Sequence, residues 1–130
     1  MPTIALVDDD SIFQFTATRL IESAKLARKI LHFENGGDAL QYLKENSLNP
    51  ENLPDFLFLD INMPFVDGWM FLEDFVKIKS GLAKEIKIYM VSSSIDPRDM
   101  NRAKGFVEVK DFVVKPVTME MFAELLKQIA

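Results

Sequence analysis

The sequence predicts an α/β fold: one domain, residues 1–130, with a parallel sheet covered by helices on both faces. Five short apolar runs alternate with five segments in which apolar residues recur at helical spacing. A chain of 130 residues that is 48% hydrophobic has enough apolar material for one core and fits one compact domain. Regular alternation of strands and helices is typical of a parallel sheet with helices on both faces.

The predicted strands are short runs rich in apolar residues. They cover residues 3–7, 29–33, 56–59, 86–91 and 112–114. The third run is uninterruptedly apolar between Pro54 and Asp60, which is typical of a central strand buried on both faces. The segment 46–54 contains serine, asparagine and proline and is predicted to form a loop.

The predicted helices have recognisable ends. Ser11 is the expected cap of the first helix, and the glycine pair at residues 36–37 is expected to break the chain before a helix over residues 38–45. Asp96 followed by Pro97 predicts the start of the fourth helix. The fifth helix is expected to have a capping threonine and an apolar stripe, formed by Thr118 and then Phe122, Leu125, Leu126 and Ile129.

Composition excludes several classes of function. A formal net charge of -5 argues against binding to nucleic acids and against adsorption to an anionic membrane. One histidine and no cysteine argue against a structural zinc site and against disulfides. The first residues lack the basic and apolar regions of a signal peptide, so we expect a soluble cytoplasmic protein.

Polar side chains directly follow four of the predicted strands. Asp8 and Asp9 follow the first strand, and Asp60 closes the third. Ser92 closes the fourth strand, and Lys115 closes the fifth. Because ligands of open parallel sheets bind outside the carboxyl ends of the strands, we expect these five side chains to converge at one edge.

The chemistry of such a cluster follows from its charges. Three carboxylates placed close together repel one another unless a cation lies between them. Oxygen ligands favour a hard cation, and Mg²⁺ is the usual choice. A carboxylate can attack a phosphoryl group to form an aspartyl phosphate. The cation and Lys115 would neutralise the phosphoryl oxygens, and the Ser92 hydroxyl could donate to one of them.

Four pieces of the sequence, in this order, resemble the response-regulator receiver family. Each piece is weak alone, but together they form a specific signal over essentially the whole chain. The resemblance implies a flavodoxin-like (βα)5 fold with sheet order 2-1-3-4-5. The pieces are Val7-Asp8-Asp9-Asp10, Leu59-Asp60-Ile61-Asn62-Met63-Pro64 with Asp67-Gly68, Val91-Ser92-Ser93 and Val114-Lys115-Pro116.

The resemblance implies a role for each acidic residue of the cluster. Asp60 matches the phosphoryl acceptor of the family. Asp8 and Asp9 match the acidic pair that places Mg²⁺, together with Asp60 itself and the backbone carbonyl of Asn62. Lys115 matches the lysine that binds a phosphoryl oxygen.

The resemblance also implies a conformational switch. Ser92 matches the switch hydroxyl, where threonine is more usual, and Phe112 matches the switch aromatic residue, where tyrosine is common. Phe112 lacks a phenolic hydroxyl, so no hydrogen bond from this side chain can stabilise either state. The peptide bond between Lys115 and Pro116 is expected to be cis, a geometry that proline tolerates.

The implied partners are proteins. The donor is a sensor histidine kinase or a histidine phosphotransfer protein. The output partner, whose identity the sequence does not give, is expected at the face formed by the fourth helix, fifth strand and fifth helix. The family contains both monomers and dimers linked to phosphorylation. His32 and Trp69 receive no role in this interpretation: His32 is expected to be packed or half-exposed in its strand, and Trp69 to be a packing residue.

Other interpretations share parts of this pattern. Asp8 and Asp9, with Asp10, could simply form a turn that caps a helix. A haloacid-dehalogenase-type phosphatase also uses an aspartate nucleophile with Mg²⁺, but it needs a second acid where this chain has Asn62. A flavodoxin-like binding module needs a phosphate-binding loop after the first strand, where this chain has aspartates.

Overall fold

The computed structural model describes residues 1–63 and 65–127, and these form five strands and five α-helices in strict alternation. The five strands all lie in one parallel sheet of order β2-β1-β3-β4-β5, which confirms the predicted fold class. In chain order the elements are β1 (Thr3–Val7), α1 (Ser11–Ser23), β2 (Lys29–Phe33), α2 (Gly36–Glu45), β3 (Phe56–Asp60), α3 (Gly68–Ile78), a 3-10 turn (Lys79–Gly81), β4 (Lys87–Ser92), α4 (Pro97–Lys104), β5 (Val109–Val114) and α5 (Met119–Leu126).

Two apolar cores lie on opposite faces of the sheet, because successive side chains of a strand point to opposite sides. Ile4 and Leu6 of β1 pack with buried residues of α1 and α5. Ala5 and Val7 pack on the other face with buried residues of α2, α3 and α4. All five residues of β1 and all five of β3 are buried, which is why these two strands read as continuous apolar runs in the sequence.

Two helices begin earlier than predicted, α1 by one residue and α2 by two. The cap of α1 is Asp10 rather than Ser11, and its carboxylate accepts hydrogen bonds from two backbone N–H groups of the first turn. The glycine pair at residues 36–37 does not break the chain but forms the first turn of α2. Asn35 caps that helix by accepting a hydrogen bond of 2.8 Å from the Asp38 N–H, a contact that sequence reasoning overlooked.

The fifth strand is longer than predicted. It begins at Val109 rather than at Phe112. The prediction missed its first residues because the exposed side chains of Lys110 and Asp111 interrupt the apolar run in this outermost strand. The predicted capping of α4 by Asp96 and of α5 by Thr118 is confirmed.

Two residues used in the predictions lie outside the described residues, namely Ile129 of the predicted apolar stripe and Pro64 of the second sequence piece. Within the described ranges, none of the helices combines the length and apolar character needed to cross a membrane.

Candidate functional site

The register of the sheet brings the predicted polar residues to one edge, which we call the carboxyl edge. Val7 pairs with Leu59 on the neighbouring strand, so Asp8 and Asp60 come next on adjacent strand ends. Asp60 in turn pairs with Val91, and Ser92 pairs with Val114, directly before Lys115. The Lys115 N–H donates to the Ser92 carbonyl at 2.8 Å, which ties the last two strand ends together.

Asp8 is held through its backbone and its side chain. Its N–H donates to the Phe33 carbonyl of β2 at 3.0 Å, and its Oδ1 accepts from the Asp10 N–H at 2.8 Å. Its Oδ2 lies 2.8 Å from the Lys115 Nζ. Only 1% of the residue is exposed, so this ion pair is screened little by solvent.

Asp60 is buried beside the Asp8 carboxylate, with 6% of its surface exposed. Burial, followed by the negative charge of Asp8, raises the pKa of Asp60 to about 7. The positive charge of Lys115 and the Asn62 N–H, which donates to Asp60 Oδ1 at 3.3 Å, lower the pKa but do not offset the rise. Asp60 is therefore a carboxylate that a further positive charge would stabilise strongly.

Asp8, Asp9 and Asp60 form the acidic cluster of the carboxyl edge. One carboxylate oxygen of each lies within 4.8 Å of the others, which is close enough for all three to surround one cation after small side-chain adjustments. Asp8 and Asp60 are buried, whereas Asp9 is exposed and leaves a path for an ion. Asp8 Oδ2 is buried, and among the described residues it has no partner other than the Lys115 Nζ at 2.8 Å, so a lone pair remains for a metal. The residues present therefore fit Mg²⁺.

Lys115 reaches the acidic cluster over an aromatic ring. Its Nζ lies 4.5 Å from the centre of the Phe13 ring of α1, a cation–π contact. Its peptide bond to Pro116 is cis. Phe13 is one of the apolar residues that recur at helical spacing in the first helix, and that spacing could not have indicated its contact with the lysine.

Ser92 is fully buried at the end of β4. Its Oγ accepts a hydrogen bond of 3.2 Å from the Ser94 N–H. Phe112 is half-buried in β5, pairs in register with Met90 and packs against the core under α3 and α4. The two residues therefore lie on adjacent strands, Ser92 at the carboxyl edge and Phe112 two residues before the end of its strand.

Gly68 allows α3 to begin against the strand that ends in Asp60. A Cβ atom at this position would lie 2.8 Å from the Asp60 carbonyl oxygen and 2.9 Å from the Ile61 Cα. Since carbon atoms do not approach backbone atoms so closely, only glycine fits without displacing the Asp60 backbone. The Gly68 N–H also donates to the Ile61 carbonyl at 2.9 Å.

The contacts of the two residues without a predicted role involve no member of the acidic cluster. His32 is exposed on β2, where its Nε2 lies 2.8 Å from the Thr18 Oγ1. Trp69 is 6% exposed in α3, as expected of a packing residue. Its ring stacks on Phe106 with a centroid distance of 6.2 Å, and the Arg102 guanidinium carbon lies 4.5 Å from the ring centroid.

Comparison with known proteins decides the family. Residues 4–127 match the family model described as the response regulator receiver domain. The chain belongs to this family. The sequence pieces thus indicated the correct family, rather than the phosphatase or flavin-binding alternatives. Receiver domains are phosphoryl-accepting switches of two-component signalling: they bind Mg²⁺ at an acidic cluster, take phosphoryl groups from histidine kinases or phosphotransfer proteins, and act on output partners.

This receiver domain has relatives of known name and structure. It is 25% identical over 126 residues to the probable methanogenesis regulatory protein FilR2 of Methanothrix harundinacea, covering 97% of this chain and 79% of that protein. It is 28% identical to a two component response regulator from Cytophaga hutchinsonii, with a TM-score of 0.87 over 97% of this chain and 94% of that chain. A response regulator receiver protein from Dyadobacter fermentans, 24% identical, has the same fold, with a TM-score of 0.84 over 97% of this chain and 95% of that chain.

Proposed function

We propose that this protein is a response regulator that accepts a phosphoryl group on Asp60 in a Mg²⁺-dependent reaction. One observation carries the proposal: the buried Asp60 lies with Asp8 and Asp9 in an acidic cluster whose oxygens are within 4.8 Å of one another. Lys115 completes the site through its 2.8 Å ion pair with Asp8. The site therefore combines a nucleophile, ligands for a hard cation and an amine.

The reaction that we propose is a direct displacement at phosphorus. A carboxylate oxygen of Asp60 forms a new P–O bond while the P–N bond of a phosphohistidine donor breaks. The electron pair of the broken bond stays on the donor imidazole, which takes up a proton, and Asp60 becomes an acyl phosphate. Lys115 neutralises charge on the phosphoryl oxygens, since its Nζ already lies at the acidic cluster.

The acidic cluster and the backbone carbonyl of Asn62 would hold Mg²⁺, which would supply electrostatic stabilisation of the phosphoryl oxygens. The protein must also keep Asp60 ionised, because only the carboxylate is a nucleophile. The positive charge of Lys115 and the Asn62 N–H both lower the pKa of Asp60 toward that state. Positive charge at the cluster acts in the same direction.

Ser92 and Phe112 form the proposed conformational switch. The Ser92 Oγ accepts from the Ser94 N–H and lies 3.5 Å from the Ser94 Oγ, and rotation of the hydroxyl would direct its proton to a phosphoryl oxygen. Phe112 pairs with Met90, two residues before Ser92 on the adjacent strand, and we propose that a shift of Ser92 toward Asp60 is accompanied by a movement of the Phe112 side chain. Phosphorylation would in this way favour one of two pre-existing arrangements of the face formed by α4, β5 and α5.

The proposed partners act at opposite steps. A sensor histidine kinase or a histidine phosphotransfer protein supplies the phosphoryl group in the cytoplasm. An output protein then binds the face of α4, β5 and α5, as a complex with one receiver domain or with a phosphorylation-linked dimer. Slow loss of the phosphoryl group by hydrolysis returns the protein to its resting state.

Labelling with acetyl phosphate and Mg²⁺ tests the nucleophile. We expect the intact mass to increase by one phosphoryl group in the wild-type protein, and no increase in Asp60→Asn, because the amide is not a nucleophile. Asp10→Asn is the matched control, since asparagine caps a helix as well as aspartate does. Persistent labelling of Asp60→Asn would refute the assignment of the acceptor.

Thermal unfolding with increasing Mg²⁺ tests the metal site. An ion that binds only the folded protein stabilises it, by about 2.7 kcal/mol at about 100 times its Kd. We therefore expect the Tm to rise with millimolar Mg²⁺ and to rise less in Asp9→Asn. An unchanged Tm would contradict the proposed ligand set.

A further inference from the structure

Gln14 makes an unusual set of contacts beside the acidic cluster. It lies in the first turns of α1, and its side chain extends back toward the carboxyl end of β1. Its Nε2 lies 3.0 Å from the Leu6 carbonyl oxygen, 3.1 Å from the Asp8 carbonyl oxygen and 3.1 Å from the Phe33 carbonyl oxygen. One side-chain amide thus joins the ends of β1 and β2.

The chemistry of these contacts requires a donor. Three carbonyl oxygens converge on one amide nitrogen, whose two protons they must share. The opposite orientation of the Gln14 amide would place its oxygen against three other oxygens, so the nitrogen must face them. The Gln14 Oε1 is buried and accepts no hydrogen bond from the described residues. The side chain is therefore placed for donation alone, at the expense of its acceptor.

The Asp8 carbonyl is the contact that matters for the acidic cluster. It belongs to the peptide unit that joins Asp8 to Asp9, and so its direction determines how the two carboxylates are placed relative to each other. The Asp8 N–H is fixed separately by the Phe33 carbonyl, which Gln14 also contacts. The Gln14 amide therefore donates both to the carbonyl of the Asp8–Asp9 peptide unit and to the Phe33 oxygen that accepts from the Asp8 N–H.

We propose that Gln14 is a positioning residue for the divalent cation, a role that rests on the proposed function of the acidic cluster. By fixing the Asp8–Asp9 peptide unit from α1, it keeps both carboxylates directed at the ion before the ion arrives. Without the amide, the Asp8 carbonyl is free to rotate toward solvent, and Asp9, which is exposed, loses its fixed direction. Gln14 itself is not among the proposed ligands of the ion.

The test is Mg²⁺ binding by Gln14→Met, a variant of similar length that lacks the donor. Loss of a group that orients a metal ligand lowers metal affinity by about 10–100-fold, and we expect a Kd for Mg²⁺ raised by about 10-fold in isothermal titration calorimetry. Amide hydrogen exchange at Asp9 should become faster in the metal-free protein. Labelling by acetyl phosphate should be slow at low Mg²⁺ and return toward the wild-type rate at saturating Mg²⁺.

Thr18→Val is the matched control. Thr18 lies one turn farther along α1, where its Oγ1 donates to the Gln14 backbone carbonyl at 2.7 Å and lies 2.8 Å from the His32 Nε2, so its replacement leaves the Gln14 side-chain amide in place. We expect this variant to lose stability but to bind Mg²⁺ with the wild-type Kd. Gln14→Asn is a second variant, which keeps an amide that is too short to reach all three carbonyls, and its Kd should also rise.

The outcomes separate this inference from the proposed function. If folded Gln14→Met or Gln14→Asn binds Mg²⁺ with the wild-type Kd, or if Thr18→Val weakens binding equally, Gln14 has no positioning role. If the wild-type protein itself neither binds Mg²⁺ nor takes the label, the proposed function fails and the role of Gln14 fails with it. If saturating Mg²⁺ restores the labelling rate of Gln14→Met, the variant has lost affinity for the ion and kept its nucleophile, which supports the inference.

Discussion

The two ends of the strands differ in how the charges of their carboxylates are balanced. At the amino edge, where the strands begin, Lys84 Nζ lies 3.0 Å from Asp55 Oδ1, and Lys79 pairs with the buried Glu108. Each of these carboxylates has its own amine. At the carboxyl edge, the acidic cluster brings three carboxylates together, and among the described residues only Lys115 forms an ion pair with it.

The pKa values of Glu108 and Asp60 shift in opposite directions because of this difference. Burial raises the pKa of Glu108, but the hydrogen bond from Lys79 and the nearby positive charges outweigh it, and the pKa is lowered. Burial and the charge of Asp8 raise the pKa of Asp60, and Lys115 does not offset them. Charge at the amino edge therefore stabilises the fold, whereas the carboxyl edge retains a charge imbalance that a cation can relieve.

Replacing one lysine at each edge should give the largest difference in unfolding free energy between the two edges. Lys115→Met leaves the Asp8 carboxylate buried without a counter-ion, and we expect a loss of about 3 kcal/mol of unfolding free energy without Mg²⁺. Lys79→Met should cost about 1 kcal/mol, because 42% of the Lys79 side chain is exposed and Lys110 also lies near Glu108. Urea denaturation measures both, and equal losses would show that the edges do not differ.

Glycine substitutions sharpen the comparison at the level of packing. Gly68→Ala would force a Cβ against the Asp60 carbonyl, and we expect a loss of about 2 kcal/mol together with slower labelling. Gly81→Ala at the amino edge meets nothing within 4 Å and should change stability by less than about 0.5 kcal/mol. A Gly68→Ala protein with wild-type stability and labelling would contradict the close approach of α3 to the nucleophile.

The pH dependence of stability should show a smaller effect of the same origin. The folded-state pKa of Asp60 is about 7, above the ordinary value of 3.8, so the folded protein binds this proton more tightly than the unfolded chain does. The unfolding free energy therefore falls as pH rises from about 4 to about 7 and changes no further once both states are ionised.

Asp60→Asn removes this titration. In the absence of Mg²⁺ we expect the variant to match the wild-type protein near pH 4 and to become more stable than it as the pH rises to 8. Chemical denaturation at several pH values measures this difference, and addition of Mg²⁺ should reduce it. A stability difference that did not change with pH would mean that burial and Asp8 do not raise the pKa of Asp60.

The sequence predicted the fold well where hydrophobic pattern and burial agree. The strands β1 and β2 have the predicted bounds, and β3 was found within one residue because Phe56–Asp60 is buried throughout. The pattern was misleading at the edge strand β5, whose exposed Lys110 and Asp111 interrupt the apolar run. The predicted start of α2 was wrong for another reason. Gly36 lies so close to Val66 that an added Cβ would be 3.0 Å from a Val66 methyl group, so this glycine allows close packing within the helix and does not end an element.

At the functional site, the sequence indicated which residues follow the strands, and parallel topology was sufficient to gather them at one edge. It did not indicate the residues that act from helix α1. Gln14 and Phe13 lie in an amphipathic pattern that specifies only which side of the helix is buried. Their contacts depend on the distance between α1 and the strand ends, which no periodicity contains.

The stacking of Trp69 has a practical consequence for optical measurement. It is the single tryptophan of the chain, so all indole emission comes from one place. That fluorophore is buried in α3 directly after Gly68, and it has the Arg102 guanidinium of α4 over its ring. Any displacement of α4 relative to α3 would remove a charged neighbour from the indole. The intrinsic fluorescence of the protein, without an attached dye, would therefore report on that movement in real time.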